Sequence, residues 1–220
     1  MQLILATRNQ HKLGELRALL GTTATCVGVH DFPAAPDVAE DALTFAGNAA
    51  KKAVALAAWL ANVGGRTNNE ESLVLADDSG LAVDALGGAP GVHSARYAAL
   101  DSGRSGNSPD VDNNAKLLRL LAGVPPERRT ARFHCMLAAV PVGVAGEPWF
   151  FSGTCEGRIG FEARGTDGFG YDPLFLPTGS DLTFAELGEE VKNRLSHRAQ
   201  ALAAFQAWLK GSTSNFAPGL

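Results

Sequence analysis

Two adjacent carboxylates, Asp77 and Asp78, follow the apolar run 73–76 and precede Ser79 and Gly80. The run predicts a buried strand with the carboxylates at its carboxyl end, where α/β proteins place ligands. Two carboxylates there are unfavourable unless cations or a metal offset their charge. Mg²⁺ usually binds one or two carboxylates together with substrate phosphates. The pair therefore indicates a metal and phosphate site; an Asx-type turn capped by Asp77 is the alternative.

A polar segment, residues 7–12, follows the short apolar run 2–6, which predicts a strand. The leucine spacing over 13–20, closed by Gly21, predicts a helix directly after it. Backbone N–H groups and the helix dipole favour an anion at such a junction. The segment predicts a phosphate site, although it lacks the GxxxxGK[ST] pattern of a P-loop; a capped helix with solvated charges is the alternative. Its residues are Thr7, Arg8, Asn9, Gln10, His11 and Lys12.

A glycine-rich stretch, residues 165–173, contains Phe169, Gly170, Tyr171 and Asp172. Glycines let the backbone approach a ligand closely, and aromatic rings can stack on a nucleobase. The stretch therefore indicates a base-binding loop. The alternative is a hairpin connection in which Tyr171 is satisfied within the protein.

Three basic residues, Lys192, His197 and Arg198, lie at the entry to the last predicted helix, 196–210. Lys and Arg can bind a phosphate or a base carbonyl, and His can donate a hydrogen bond to one. These residues therefore indicate a second cationic part of the site. An exposed capping turn is the alternative.

Charge is unevenly distributed along the 220 residues, whose formal net charge is −4. Residues 31–84 contain nine acids and three bases, a net of −6, so the rest of the chain sums to +2. A carboxylate-rich region facing separate cations suits a metal-bridged polyphosphate. A nucleic-acid polymer is not expected as a partner, because no basic stripe is present.

Cys26, Cys135 and Cys155 are few and lack CxxC spacing, which speaks against a disulfide framework or a zinc site. We expect free thiols in a reducing compartment. No run reaches the roughly 18 apolar residues of a membrane span, and the first residues lack the pattern of a signal peptide. The sequence therefore predicts a cytoplasmic protein that does not enter a membrane.

Strands and helices are interleaved without strict alternation, which favours an α/β or mixed-sheet fold in one domain, with two lobes and a cleft. The apolar fraction of 45% excludes a wholly disordered chain. The remaining predicted elements are a strand within 22–29, a helix at 44–62 capped by Thr44 and ended by Gly64 and Gly65, a surface loop at 66–71, a long loop over 86–109, a helix at 113–121, and a hairpin of 130–140 and 148–158 with a turn at 143–146.

Taken in order, these segments resemble the inosine/xanthosine triphosphate pyrophosphatases, which act on non-standard purine nucleotides. The resemblance runs through LATRNQHKLGEL, EDALTFAGNAAKKA, LADDSGLAVDALGGAPGVHSARYA, ARFHC, GTDGFGYDPLF and KNRLSHRAQAL. It implies a long twisted mixed β-sheet with flanking helices, in two lobes around a central cleft, and a homodimer. It also implies Mg²⁺-dependent hydrolysis of ITP, dITP and XTP to the monophosphate and pyrophosphate. We expect one such domain over residues 1–210 and a flexible tail over 211–220.

The resemblance further implies roles for individual residues. Glu40 and Asp78 would bind the metal, and Asp78 would accept a proton. Discrimination would depend on the 6-oxo group of the base, facing His197, Arg198 or backbone N–H groups within 169–172. The residues implied to contact substrate are Thr7, Arg8, Asn9, Gln10, His11, Lys12, Lys52, Ser79, Phe169, Gly170, Tyr171, Asp172, Lys192, His197 and Arg198.

Two departures from the family pattern stand out. The pattern acidic-Thr-Gly-x-Thr-Phe-x-Glu-Asn is replaced here by residues 40–48, with Gly47 in place of an acid. Residues 59–72 also look longer than usual, and the role of Arg96 is open. Two other functions remain as alternatives: a Maf-like pyrophosphatase acting on pyrimidine or modified nucleotides, and a sensor that binds ITP without cleaving it.

Overall fold

One mixed sheet runs through the computed structural model, which describes residues 1–63, 72–103, 105–144 and 146–212. Within these residues its strand order is β2-β1-β3-β4-β5-β6. β1 is parallel to β2 and β3, and the remaining pairs are antiparallel. The strands are β1 (Gln2–Leu5), β2 (Thr25–Gly28), β3 (Ser72–Val83), β4 (Thr130–Pro141), β5 (Trp149–Ile159) and β6 (Phe175–Pro177). The predicted mixed sheet and the β4–β5 hairpin are confirmed.

Helices flank this sheet and begin at predictable caps. The Asn9 side chain accepts a hydrogen bond from the backbone of Lys12, and the Thr44 side chain accepts one from Gly47; such caps satisfy backbone donors that lack helical partners. The helices are α1 (Gln10–Leu20), α2 (Phe45–Asn62), α3 (Ala99–Ser102), α4 (Asp110–Leu120), α5 (Phe184–Leu195) and α6 (His197–Ser212). No helix in the described ranges is long and apolar enough to cross a membrane.

The core divides because successive strand residues face opposite sides of the sheet. Leu3 and Leu5 of β1 pack in a cluster with α1 and α6, whereas Ile4 packs in a cluster with α2. A third cluster joins Leu117 of α4 and Phe184 of α5 to the far ends of β3–β6. The three cysteines are free thiols, as predicted.

The boundary predicted after Ala76 is wrong, because β3 continues through both carboxylates to Val83. Asp77 and Asp78 pair across the ladder with Leu137 and Met136 of β4. The strand that ends here is β1, whose last residue lies beside Leu75 in a parallel register. The ladder with β4 keeps β3 extended where the polar side chains begin, and it places the two carboxylates just beyond the end of β1.

Other boundaries also shift. The segment predicted as a long loop contains a 3₁₀ helix at Gly91–Arg96 and the short α3. Neither β6 nor α5 was predicted from the sequence, and α6 continues to Ser212. The predicted end of α2 at Gly64 and Gly65 and the surface loop at 66–71 lie outside the described residues, as do residues 213–220 of the predicted tail.

Candidate active site

A cavity of about 710 Å³ opens beyond the end of β1 and is bounded by β3, α2, α6 and the segments 92–96 and 169–172. Predicted site residues line it, namely Thr7, Arg8, Asn9, Lys12, Glu40, Lys52, Asp78, Ser79, Phe169, Gly170, Tyr171, Asp172, Lys192, His197 and Arg198. Gln10 and His11 do not line it. Gln10 lies 2.8 Å from the His30 ring nitrogen, and the His11 ring stacks on Phe169 at 5.3 Å between centroids.

Asp77 faces α1 and α6 and is 1% exposed. Its Oδ1 accepts hydrogen bonds from Lys12 Nζ at 2.5 Å and Ser79 Oγ at 2.9 Å. Its Oδ2 accepts from Arg198 Nε at 3.0 Å and Cys135 Sγ at 3.1 Å. Burial raises the pKa of Asp77, but the charges of Arg198 and Lys12 hold it well below its usual range. Asp77 is therefore ionised, and it fixes both cations.

Glu15, three residues after Lys12 on α1, is a second carboxylate partner of Arg198 and also binds Lys192. It accepts a hydrogen bond from Lys192 Nζ at 2.6 Å and one from the Arg198 guanidinium. Lys192 Nζ also donates to Asp172 Oδ2 at 2.5 Å. Burial raises the pKa of Glu15, and the charges of Arg198 and Lys192 lower it further than burial raises it. Lys192 and Arg198 are thus each held between two carboxylates.

His197 lies at the base of the cavity and is 4% exposed. Its ring stacks on Phe133 at 4.8 Å between centroids. Burial and the nearby charge of Arg198 lower its pKa well below the usual range, so the ring is neutral. Its Nδ1 is buried and has no hydrogen-bond partner among the described residues, which leaves an unused polar atom in the cavity wall.

The 169–172 loop is held by bonds within the protein. Tyr171 is buried and its hydroxyl donates to the carbonyl of Ser94 at 2.9 Å, so this tyrosine is satisfied internally. The Phe169 N–H donates to Asp172 Oδ2 at 2.8 Å, and the Asp172 N–H donates to the Phe169 carbonyl at 3.2 Å. The Gly170 N–H donates to Asp110 Oδ2 at 2.6 Å, so three backbone donors of the loop are already engaged. The Phe169 ring lies 4.6 Å from Lys192 Nζ.

Asp78 faces the opposite side of the sheet, toward α2. Lys52 Nζ donates to Glu40 Oε2 at 2.8 Å and to the Asp77 carbonyl at 2.7 Å, and it lies 3.6 Å from Asp78 Oδ1. Asn48 is fully buried and donates through Nδ2 to Asp78 Oδ2 at 3.1 Å. One lysine therefore faces two carboxylates here.

The pKa values differ between these two acids. Burial, supported by the charge of Glu40, raises the pKa of Asp78 to about 6, although Lys52 and Lys12 act to lower it. Burial raises the pKa of Glu40 less than the charge of Lys52 lowers it, so its pKa lies below the usual value. Asp78 consequently gains and releases a proton close to neutral pH, as a general base must.

Glu40 and Asp78 suit a magnesium ion that also binds substrate. Among the described residues no group of three or more His, Cys, Asp or Glu side chains could hold a metal by itself. Mg²⁺ does not require such a group, since one or two carboxylates plus substrate phosphates usually suffice. Glu40 and Asp78 share the single positive charge of Lys52. Their remaining negative charge can be offset by a cation, so these two carboxylates fit a magnesium ion.

The departure at Gly47 has a packing reason. A Cβ atom at this position would lie 2.8 Å from the Cβ of Ala42, which is too close, and 3.1 Å from Thr44 Oγ1, which is a tight contact. Ala42 itself replaces the glycine of the family pattern, and its N–H donates to Asn48 Oδ1 at 2.9 Å. The larger residue at 42 therefore occupies the space that a side chain at 47 would need.

Two arginines tie the loop before α2 to the cavity wall. Arg96 donates to the Glu40 carbonyl at 2.9 Å. Arg8 donates to the Ala35 carbonyl at 3.0 Å and pairs with Asp37 at 2.9 Å. These contacts fix the backbone that carries Glu40, and they give Arg96 a structural role in the absence of ligand.

Glu15 and Asn48 are site residues that the motif analysis did not select. Helical spacing offers a clue to both, because Glu15 is three residues from Lys12 and Asn48 is four residues from Lys52, so each pair shares a helix face. The partners of Glu15 on α5 and α6 could not be inferred, since Lys192 is 177 residues away along the chain.

Known proteins match almost the whole chain. Residues 3–208 match the model of the Ham1 family. The chain is 45% identical over 210 residues to the dITP/XTP pyrophosphatase of Shouchella clausii, covering 96% of this chain and 97% of that protein. It is 49% identical over 203 residues to the dITP/XTP pyrophosphatase of Geobacillus kaustophilus, covering 91% and 90%.

Solved structures agree with the fold. The Staphylococcus aureus Ham1 protein matches with a TM-score of 0.78 and 35% identity, covering 96% of this chain and all of that one. The nucleoside-triphosphatase / dITP/XTP pyrophosphatase from Mycobacterium abscessus matches with a TM-score of 0.68 and 40% identity, covering 93% and 98%. These matches span every motif-bearing segment from β1 to α6.

Proposed function

Since the chain belongs to the Ham1 family, we propose that it is a nucleoside triphosphate pyrophosphatase which hydrolyses ITP, dITP and XTP to the monophosphate and pyrophosphate. The matched relatives carry the name dITP/XTP pyrophosphatase. The observation that supports this activity best is the cavity that sets the carboxylates Glu40 and Asp78 against the cations Lys12, Lys192 and Arg198. Such an enzyme removes deaminated purine nucleotides from the pool and prevents their incorporation into DNA and RNA.

Positioning of the triphosphate is assigned to the segment between β1 and α1. Thr7, Asn9 and Lys12 supply a hydroxyl, an amide and an ammonium group at a helix N-terminus, where the dipole favours an anion. Arg8, Gln10 and His11 belong to the same proposed triphosphate-binding segment. Gln10 and His11 do not line the cavity, so we propose that they support the lining residues, as His11 does by stacking on Phe169. Lys52 is proposed to contact a phosphate from the α2 side.

Hydrolysis then needs an acceptor for a proton. Asp78 takes the proton of a water whose oxygen attacks the α-phosphorus, and the bond from this phosphorus to the bridging oxygen breaks to release pyrophosphate. Mg²⁺ held by Glu40 and Asp78, when bound, supplies charge neutralisation of the phosphate oxygens. Lys12 and Lys192 stabilise the charge on the leaving group.

Selection of the base is assigned to the cavity residues at the start of α6 and in the 169–172 loop. Hypoxanthine and xanthine carry an acceptor oxygen where adenine carries an amino group, so a donor there favours the deaminated bases. His197 is neutral with an unpartnered Nδ1, and the Arg198 guanidinium stands beside it. Ser79 and the loop residues Phe169, Gly170, Tyr171 and Asp172 complete the proposed nucleotide contacts.

The proposal includes a homodimer in the cytoplasm. The homodimer is what the resemblance to the family implies. Sedimentation should then give twice the mass of one chain.

A pyrophosphate-release assay across ITP, dITP, XTP, GTP and ATP, with and without Mg²⁺, tests the proposed activity. We expect magnesium-dependent release from ITP and XTP and rejection of ATP by roughly 10⁴-fold, as for sites built around one hydrogen bond. Equal rates with ATP and ITP would refute it. Preference for pyrimidine or modified nucleotides would instead identify a Maf-like enzyme, and ITP binding without pyrophosphate release would identify a sensor.

A further inference from the structure

Both backbone polar groups of Gly170 are bound by side chains of α4. The Gly170 N–H donates to Asp110 Oδ2 at 2.6 Å, and its carbonyl accepts a hydrogen bond from Asn114 Nδ2 at 2.9 Å. Asp110 and Asn114 are four residues apart, so they lie on one face of the helix. We call this pair with Gly170 the α4 clamp.

Gly170 needs such partners because it lies outside the sheet and the helices. Its φ of +62° is a left-handed conformation that glycine adopts without strain. The bond to Asp110 is exposed and the bond to Asn114 is partly buried, so the two side chains hold backbone groups that water would otherwise solvate. The clamp supplies one partner for each group and thereby fixes the course of the chain between Phe169 and Tyr171.

Within the described structure, the Asn114 side chain has one satisfied and one unsatisfied polar atom in this position. Its Oδ1 is buried and has no hydrogen-bond partner among the described residues. A buried amide oxygen without a partner is destabilising. Among the described residues, the hydrogen bond from Asn114 Nδ2 to the Gly170 carbonyl is the contact that offsets the cost of burying the Asn114 amide.

The clamp also joins two walls of the cavity. One residue before Asn114, Asn113 donates to the Ala95 carbonyl at 3.2 Å and accepts from the Ala98 N–H at 2.8 Å. The same helix turn therefore holds the 92–96 wall through Asn113 and the 169–172 wall through the clamp. Leu117 anchors this helix in the core with no exposed surface.

We propose that Asp110 and Asn114 are positioning residues that set the Phe169–Gly170 backbone, and with it the Phe169 ring, for the nucleobase. This inference rests on the proposed function. The Phe169 ring stacks on His11 and lies beside Lys192, so a shift of Gly170 displaces a cavity wall without touching Glu40 or Asp78. The expected consequence is weaker binding with little change in the chemical step.

Steady-state kinetics with ITP test the proposal. Asp110→Ala and Asn114→Ala should each raise KM roughly tenfold, the value of one hydrogen bond to a charged or buried group, while kcat changes by less than about twofold. Asp110→Asn retains an acceptor oxygen and should restore a KM near that of the unchanged protein. The matched control is Asp112→Ala: Asp112 is exposed in the same helical turn, and no side-chain hydrogen bond of it occurs among the described residues.

Amide hydrogen exchange of Gly170, followed by NMR without nucleotide, tests the contact separately. Asp110→Ala should accelerate this exchange and Asp112→Ala should not. If the unchanged protein cleaves no nucleotide, the proposed function fails while this measurement still decides whether the clamp exists. Unaltered exchange overturns the clamp. A lower melting temperature with unaltered KM overturns the positioning role and leaves a structural one.

If an alanine variant does not fold, a second pair of variants tests the positioning role of Asp110 and Asn114. Asp110→Asn should keep the KM of the unchanged protein, as above. Asn114→Asp sets a carboxylate against the Gly170 carbonyl and should raise KM for ITP by roughly tenfold or more, because two acceptors then face each other. An unchanged KM in Asn114→Asp overturns the proposal.

Discussion

Asp77 and Asp78 are neighbours in the chain, yet they lie in opposite electrostatic surroundings. On the α1 and α6 side, three cations face three carboxylates: Lys12, Lys192 and Arg198 against Glu15, Asp77 and Asp172. On the α2 side, Lys52 pairs with both Glu40 and Asp78, and the charge of Lys12 acts on them from a greater distance. The strand causes this difference, because consecutive residues of β3 point to opposite faces.

The difference shows how one strand can serve two purposes. On the balanced side every charge is paired, the pKa of Asp77 is well below its usual range, and the side chains are fixed before any ligand arrives. Such preorganisation stabilises developing charge without a later reorganisation cost. On the unbalanced side the pKa of Asp78 is raised to about 6. That side retains negative charge for a metal ion and a base for a proton.

Removing the acid on the unbalanced side should have the largest effect. Asp78→Asn removes the proposed proton acceptor and one proposed metal ligand, so kcat for ITP should fall by roughly 10³-fold, within the range for general-base catalysis. The fold should persist, because the amide can still accept the hydrogen bond from Asn48. Pyrophosphate release together with circular dichroism measures both quantities.

Asp181→Asn is a suitable control for this variant, since it removes an acid whose partner Arg158 lies at the surface away from the cavity lining. It should leave kcat unchanged. Turnover by Asp78→Asn close to that of the control would mean that the unbalanced side does not carry the chemistry.

Removing the acid on the balanced side should instead weaken the fold. Asp77→Asn removes the carboxylate that pairs with the Lys12 ammonium and leaves Glu15 to pair with the buried guanidinium of Arg198; breaking a buried ion pair in this way costs about 3–5 kcal/mol. The free energy of unfolding in urea measures the loss. The exposed pair Arg158–Asp181 provides the contrast, because Asp181→Asn should cost less than about 1 kcal/mol.

A similar loss of unfolding free energy in Asp77→Asn and Asp181→Asn would contradict the view that the balanced side is a preformed network. A loss confined to Asp77→Asn would support it. Ligand binding sharpens the comparison further: Asp77→Asn should also raise KM, since Lys12 and Arg198 lose a shared anchor, whereas Asp78→Asn should act mainly on kcat.

The sequence alone was sufficient for elements with strong local patterns. The leucine spacing of α1, the Thr44 cap of α2 and the alternation in β4 and β5 each fix local structure without help from distant residues. The end of β3 could not be predicted in this way. Polar residues normally mark the end of a buried strand, and here distant cations on α1 and α6 allow the strand to continue through Asp77.

The site was predictable as a set of residues but not as a geometry. The motifs contain the cavity residues, yet no local pattern shows that Asp77 and Asp78 serve different faces or that Glu15 connects Lys192 with Arg198. Those contacts join residues that are more than 100 positions apart. They depend on the packing of α1 and α6, which come from the two ends of the chain, in one cluster on the same face of the sheet.

The smallest expected effect concerns stability and pH in protein free of divalent cations. The pKa of Asp78 is about 6 in the folded protein and 3.8 by its ordinary value, so between these values the folded state binds more protons than the unfolded state. Stability from this group therefore falls as pH rises from about 4 to about 6 and stays reduced above. The cost at neutral pH is at most about 3 kcal/mol. Asp78→Asn removes it and should be the more stable protein near neutrality, with the advantage vanishing near pH 4.

Urea unfolding of both proteins across this range measures the difference. Taking the difference cancels the opposite contributions of Asp77 and Glu15, whose lowered pKa values make stability fall as the medium becomes acidic. Mg²⁺ added near neutral pH should reduce the advantage, because a bound cation stabilises the ionised carboxylate against both its burial and the charge of Glu40. A difference that does not depend on pH would show that Asp78 is not under electrostatic strain, and the contrast between the two faces of β3 would then rest on geometry alone.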